Sequence, residues 1–178
     1  MILGVVLAGG LSSRYGSDKA LAELDGRTLL ASAVDILSGW CDHVVVAGRA
    51  TAPAPTLPDW PRAGMGPLAG LAAALHLAED EGYETVMSCG VDSLLLPDNL
   101  PALLGQAPAC LKDQPVVGIW PVTSVRIIEE QLQSEGSHSV YRFAELTGAR
   151  LVESPEPSAN INTPADLAAL AQARTRRI

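Results

Sequence analysis

The stretch Val5 to Leu24, VVLAGGLSSRYGSDKALAEL, decides how the rest of the chain is read. An apolar run that begins at Ile2 ends at Leu7. Ala8, Gly9 and Gly10 follow, and then a polar segment carries Arg14 and Lys19 before hydrophobic residues resume. A continuous apolar run of this length is a buried strand, and paired glycines at its end let the backbone turn sharply and approach a ligand closely. Amide groups in such a turn can point at phosphate oxygens, with Arg14 and Lys19 supplying the positive charge. The segment lacks the G-K-[ST] ending of a P-loop and the G-x-G-x-x-G spacing of a dinucleotide fold. Glycines alone fit a plain strand-to-helix turn with solvated basic residues as well as they fit a phosphate site.

Outward from that stretch, strands and helices alternate. Leu30, Ala33, Val34 and Leu37 recur at helical spacing, and Val44 to Ala47 is a second buried strand. A Pro-rich loop, Thr51 to Pro61, leads to GPLAGLAAALHLAED, with Pro67 at a first helical position and Leu68, Leu71, Ala72 and Leu75 on one face. Thr85 to Cys89 is a third strand, Leu100 to Leu104 a short helix and Val116 to Val122 a fourth strand. Helical stretches follow around Val125 to Ser134 and Ser139 to Leu146, then a short strand, Ala149 to Val152. NTPADLAALAQAR ends the pattern as a helix with Thr163 as N-cap, Pro164 in the first turn and Asp166 near the positive helix end. This order predicts a Rossmann-like α/β chain, a three-layer α/β/α sandwich around a mostly parallel sheet. No repeat or interior linker divides residues 1–178, so one domain is expected.

Composition excludes several classes of function. The chain has 178 residues, 12 basic against 20 acidic, for a net charge of −8. No basic patch precedes Arg174, Arg176 and Arg177, so long nucleic acid is a poor partner. Hydrophobic residues make up 48%, yet no apolar run approaches the ~20 residues of a membrane span. With no basic residue ahead of its first apolar stretch the start does not resemble a secretory signal, and a cytoplasmic protein is expected. Cys41, Cys89 and Cys110 form no C-x-x-C pair and are expected as structural thiols. His43, His76 and His138 have no metal spacing, and Trp40, Trp60 and Trp120 form no stripe; all six are expected to be structural.

Ligands of such sheets sit beyond the carboxyl ends of the strands. After the third strand comes SCGVDSLLLP, where Asp92 stands at the end of an apolar segment. An aspartate there either caps the helix that begins at Leu100 or holds magnesium, which needs only one or two protein carboxylates when substrate phosphates complete its shell. The glycine turn with Arg14 and Lys19 favours magnesium.

These motifs carry a resemblance. LAGGLSSRYGSDKALAELDGRTLL resembles the L-A-G-G-x-x-x-R-x-G-x-x-K-x-L motif of nucleotidyltransferases with the nucleotide-diphospho-sugar transferase fold. GPLAGLAAAL, VDSLLLP, QPVVGIWPV and NINTPADL resemble, in order, later motifs of the molybdenum cofactor guanylyltransferases. The similarity runs from Ile2 to about Leu170. It implies GMP transfer from GTP to the terminal phosphate of a molybdopterin acceptor, with pyrophosphate leaving and magnesium as cofactor. It also implies transient contact with other cofactor-biosynthesis or acceptor proteins. By the same resemblance Leu7, Ala8, Gly9 and Gly10 meet the nucleotide, and Lys19 and Arg14 hold phosphate. Asp92 binds magnesium, Asp59 serves the guanine nucleotide, and Asn160 and Asn162 serve the pterin acceptor. Where the family tends to have an Asn before the Arg that follows the second strand, this chain has Gly48 before Arg49. Related enzymes using CTP tend toward L-A-A-G, and Gly9 in the third place favours guanine. The alternatives at this level are CTP or another small phosphate acceptor, and a nucleotide-binding domain without catalysis; Lys19 together with Asp92 speaks against the last.

Overall fold

A computed structural model describes residues 1–10, 18–93, 95–155, 161 and 163–175 of the chain. Arg14, Asn160 and Asn162 lie outside the described residues. Nine short or long strands are assigned among them: β1 (Ile2–Leu7), β2 (Glu23–Leu24), β3 (Arg27–Thr28), β4 (His43–Ala47), β5 (Thr56–Leu57), β6 (Thr85–Gly90), β7 (Ala109–Leu111), β8 (Gln114–Pro121) and β9 (Arg150–Val152). The helices are α1 (Leu29–Ser38), α2 (Pro67–Glu81), α3 (Leu100–Leu104), α4 (Val125–Gln133), α5 (Val140–Thr147) and α6 (Pro164–Thr175). Seven of the strands form one sheet in the order β5-β4-β1-β6-β8-β7-β9, and β2 and β3 pair as a separate hairpin.

The sheet is mostly parallel, as the alternating pattern predicts. β1 lies between β4 and β6 and is parallel to both, while β8 runs antiparallel to its neighbours β6 and β7. Period-two alternation divides the core. Leu3, Val5, Leu7, Val45, Ala47 and Val86 join the layer of α2, α4 and α5, which includes Leu71, Leu75, Ile128 and Phe143. Val6, Val46, Met87 and Cys89 point to the opposite layer, against Leu30, Ala33 and Leu37 of α1 and Leu100 and Leu104 of α3. The result is a three-layer α/β/α sandwich whose central strands are buried on both faces.

Local chemistry accounts for the element ends. Thr28 caps α1 by accepting the Ala31 N–H at 3.1 Å, and Ser139 caps α5 by accepting that of Arg142 at 3.1 Å. At α6 the expected cap is reciprocal: Thr163 Oγ1 accepts from Asp166 N at 3.2 Å and Asp166 Oδ2 accepts from Thr163 N at 2.8 Å. Ile161, just before this cap, is 1% exposed and packs with Leu24 and Leu29, bringing α6 onto the β2–β3 hairpin. That hairpin turns at Asp25-Gly26, both at positive φ, a D-G signal visible in the sequence.

Gly66 and Gly70 have different reasons for being glycine. A Cβ on Gly70 would lie 2.9 Å from Ala47 Cβ and 3.0 Å from Leu7 Cδ2, so α2 meets β1 and β4 in close contact. Gly66 meets nothing within 4 Å and has φ of 77°, so its glycine serves the backbone turn into α2.

The residues expected to be structural have structural partners. Trp120 is fully buried; its indole N–H donates to Ser88 Oγ at 2.9 Å, and Ser88 donates to the Val116 carbonyl at 2.7 Å. His43 Nδ1 is 2.7 Å from the Tyr83 hydroxyl, and His76 Nε2 is 2.9 Å from Glu129 Oε1 with its ring against Trp60. The three cysteines are free; burial pushes the Cys41 thiol up to about 12 and that of Cys110 up to about 11. Among the described residues no helix is long and apolar enough to cross a membrane.

Candidate active site

The carboxyl ends of β1, β4 and β6 lie side by side, because Leu7 pairs in register with Ala47 on one side and Gly90 on the other. Whatever follows these three residues is therefore gathered at one edge of the sheet. The chain segments there are the glycine turn after Leu7, Gly48-Arg49 after Ala47, and Val91-Asp92-Ser93 after Gly90.

At the end of β1, Leu7 is itself a core residue, 8% exposed, so only its backbone can face a ligand. The Ala8 N–H is committed to the Ala47 carbonyl at 3.0 Å. Gly9 and Gly10 find no hydrogen-bond acceptor among the described residues, and theirs are the amides of this turn left for an anion. Gly9 also makes the tightest backbone contact of the site: a Cβ on Gly48 would lie 2.4 Å from Gly9 Cα and 2.6 Å from Gly9 N. Gly48 has φ of 84°, a region that side chains avoid. Asparagine tolerates positive φ better than other side chains do, but its Cβ has no room beside Gly9, which is the physical basis of the chain's glycine at this position.

Asp59 enters from the loop that precedes α2. Its carboxylate would be 3.4 Å from a Cβ on any of Gly9, Gly48 or Gly70, so it stands in a niche that three glycines keep open. It is half-buried, and no hydrogen-bond donor reaches it among the described residues. Burial raises its pKa above the ordinary value of 3.8. A carboxylate placed in this way lacks only a donor.

On the other side of β1, Lys19 opens a short 3-10 turn, Lys19–Leu21, and its Nζ lies 2.9 Å from Asp92 Oδ2. The two side chains are 13% and 26% exposed. Asp92 is steered by its own turn: the Gly90 N–H donates to Ser93 Oγ at 3.2 Å, and the Ser93 N–H donates to the Gly90 carbonyl at 3.1 Å. A Cβ at Gly90 would meet Asp92 Oδ1 at 2.7 Å, so that glycine makes room for the carboxylate. The alternative role, capping α3, is not taken: Asn99 occupies the N-cap position. No cluster of three or more metal-ligating side chains exists among the described residues. Asp92 thus offers a single carboxylate.

Asp18 and Arg49 were not singled out by sequence reasoning. Arg49 Nη1 donates to Asp18 Oδ1 at 2.9 Å and Nη2 donates to Oδ2 at 2.7 Å. The guanidinium holds the Asp18 carboxyl below its usual range, and Asp18 in turn raises the pKa of Arg49. The available signals were an acid directly before Lys19 and a base directly after Gly48. Nothing in the sequence says that they meet.

A mostly parallel sheet with a glycine turn, a lysine and an acid at the ends of adjacent strands is the architecture of an α/β nucleotidyltransferase. Accordingly, the model of the MobA-like NTP transferase domain matches residues 4–146. The molybdenum cofactor guanylyltransferase of Acidiphilium cryptum is 38% identical over 178 residues, covering 92% of this chain and 90% of that protein. That of Rhodobacter capsulatus is 34% identical over 182 residues, covering 94% and 93%. The crystal structure of molybdopterin-guanine dinucleotide biosynthesis protein A from Archaeoglobus fulgidus shares the fold at a TM-score of 0.73 and 18% identity, over 98% of this chain and 99% of that one. A nucleotidyl transferase from Methanothermobacter shares it at 0.72 and 17% identity, over 100% and 99%. The chain belongs to the molybdenum cofactor guanylyltransferase family, within the MobA-like NTP transferases.

Proposed function

We propose that the chain, as one nucleotidyltransferase domain over residues 1–178, transfers GMP from GTP to the terminal phosphate of molybdopterin and releases pyrophosphate. The observation that carries this reading is the pairing of Lys19 with Asp92 at 2.9 Å beside the turn of Gly9 and Gly10. A phosphate-binding cation, a metal-binding carboxylate and free amides then share one strand edge. The names of the relatives point to the same substrates.

The roles follow from chemistry. The attacking terminal phosphate is already an anion near neutral pH, so no strong general base is needed, and positioning with charge stabilisation supplies the catalysis. Gly9 and Gly10 donate their amides to the triphosphate, with Leu7 and Ala8 shaping the turn. Lys19, joined by Arg14, holds charge on the departing pyrophosphate. Asp59 accepts from the two ring-edge donors of guanine, the pair of N–H groups that its open niche lacks. Asp92 is the residue that would hold magnesium, since one partly exposed carboxylate suits an ion that takes its other ligands from phosphates and water. When bound, the ion supplies Lewis-acid polarisation of the phosphoryl group and screens the approaching anion. Asn160 and Asn162 are assigned to the pterin ring edge, where an amide can both donate and accept. A cytoplasmic setting suits an enzyme that draws on GTP, and transient contact with partner proteins of cofactor synthesis belongs to the same reading.

The test is pyrophosphate release by the purified protein with magnesium, molybdopterin and each of GTP, CTP and ATP. Release with GTP alone is expected. Equal release with CTP overturns the guanine assignment, and none with any nucleotide overturns the reaction.

A further inference from the structure

Lys19 is gripped from behind. Its chain neighbour Asp18 receives both Nη groups of Arg49, at 2.9 and 2.7 Å, while the same Asp18 Oδ1 accepts the Ala20 N–H at 3.2 Å. Arg49 follows Gly48 directly beyond β4, and its side chain is 18% exposed. A two-toothed guanidinium–carboxylate contact fixes direction as well as distance. Here it links the end of β4 to the residue just before the phosphate-binding lysine.

Stability is a poor explanation for this fork. Asp18 is 44% exposed, and exposed pairs contribute little. The Arg49 Nε is buried and finds no acceptor among the described residues, which is a cost. The turn itself is weak. It is three residues long, held by Leu21 N to the Asp18 carbonyl at 3.0 Å and Ala22 N to the Lys19 carbonyl at 3.1 Å. In the reaction above, Lys19 must leave Asp92 for phosphate oxygens. A long side chain released from its ion pair keeps its direction only if its backbone does.

We propose that Asp18 and Arg49 are positioning residues for Lys19, a fork that holds the Lys19 turn against the end of β4 so that the ammonium passes from Asp92 to the nucleotide's phosphates by side-chain rotation alone. The inference rests on the phosphate-binding role given to Lys19 above. Asp18 and Arg49 touch neither substrate nor metal in this arrangement.

The experiment is a double-mutant cycle. Asp18→Asn keeps an acceptor for the Ala20 amide but discharges the fork, and Arg49→Lys keeps the charge but removes the second tooth. Each is measured for GMP transfer, GTP affinity and amide exchange at Ala20, Leu21 and Ala22, in the wild-type chain and in Lys19→Ala. Either substitution is expected to slow transfer on the order of tenfold in the wild-type chain, less than about twofold in Lys19→Ala, and to speed exchange at the three amides. Equal factors in both backgrounds overturn the proposal, as does unchanged exchange. A protein that binds GTP but transfers nothing refutes the reaction instead. The cycle is then read on GTP affinity: an effect lost in Lys19→Ala supports the fork, and an equal effect in both backgrounds overturns it.

Discussion

Lys19 Nζ lies 2.9 Å from Asp92 Oδ2 across a sequence separation of 73 residues. Both side chains sit where parallel strands end, and each is a counter-ion of the other. The pair keeps an ammonium and a carboxylate in place at the point where the proposed function puts phosphate and metal.

Asp92→Asn removes one charge and almost no volume. We expect transfer to fall below detection at ordinary magnesium, with melting changed by no more than the roughly 1 kcal/mol that a partly exposed ion pair contributes. Lys19→Ala should slow transfer about a hundredfold or more, the scale of losing one preorganised charge-stabilising group. Steady-state rates and a thermal melt on the same preparations check both; wild-type rates in Asp92→Asn would falsify its role.

Asp59→Asn should act in opposite directions on stability and on binding. Burial raises the pKa of this acid in the folded chain above 3.8, so the unfolded chain loses its proton first as pH rises. The protonated acid thus favours the fold below about pH 3.8, and that contribution is lost as pH climbs through the higher folded value. At pH 7 the neutral amide is therefore expected to melt higher than wild type, and the difference should shrink as pH falls toward 4. GTP affinity should drop by about ten- to a hundredfold, the loss of hydrogen bonds to a charged acceptor. Melts across pH and a GTP titration provide the comparison; unchanged affinity would remove Asp59 from the base site.

Gly48→Ala tests the contact with Gly9. The added methyl would lie 2.4 Å from Gly9 Cα on a backbone with φ of 84°, so the turn has to move. A loss of about 2 kcal/mol or more is expected, with a melting point lower by about 4 °C or more and weaker GTP binding. Intact GTP binding in a destabilised protein would show that Gly48 shapes the fold and not the site.

Ser88→Ala probes the core alone. It orphans the buried indole N–H of Trp120, which now donates to Ser88 Oγ at 2.9 Å. Stability should fall by about 1–3 kcal/mol. Transfer at temperatures well below melting should stay at the wild-type rate. Tryptophan fluorescence during unfolding reports the first effect, and a rate that falls in step with stability would contradict the second.

By itself the sequence determined the elements whose signals are local. The apolar runs of β1, β4 and β6, the helix entered by Pro67 and the Thr163–Asp166 cap each depend on residues a few positions apart, and so did the placing of candidate chemistry just after Leu7, Ala47 and Cys89. The tertiary structure alone decided what depends on distant partners. β8 reads as apolar in either direction; its antiparallel pairing with β6 is fixed by which edges meet. β5 and β7, two and three residues long, are strands only because neighbours supply their hydrogen bonds. The niche of Asp59 needs glycines from the turns after β1 and β4 and from α2, and the fork of Asp18 and Arg49 needs the Lys19 turn brought against the end of β4. A chain spells out hydrophobic period and caps one after another, whereas charges and close backbones meet only when folding brings separate segments to the same edge of the sheet.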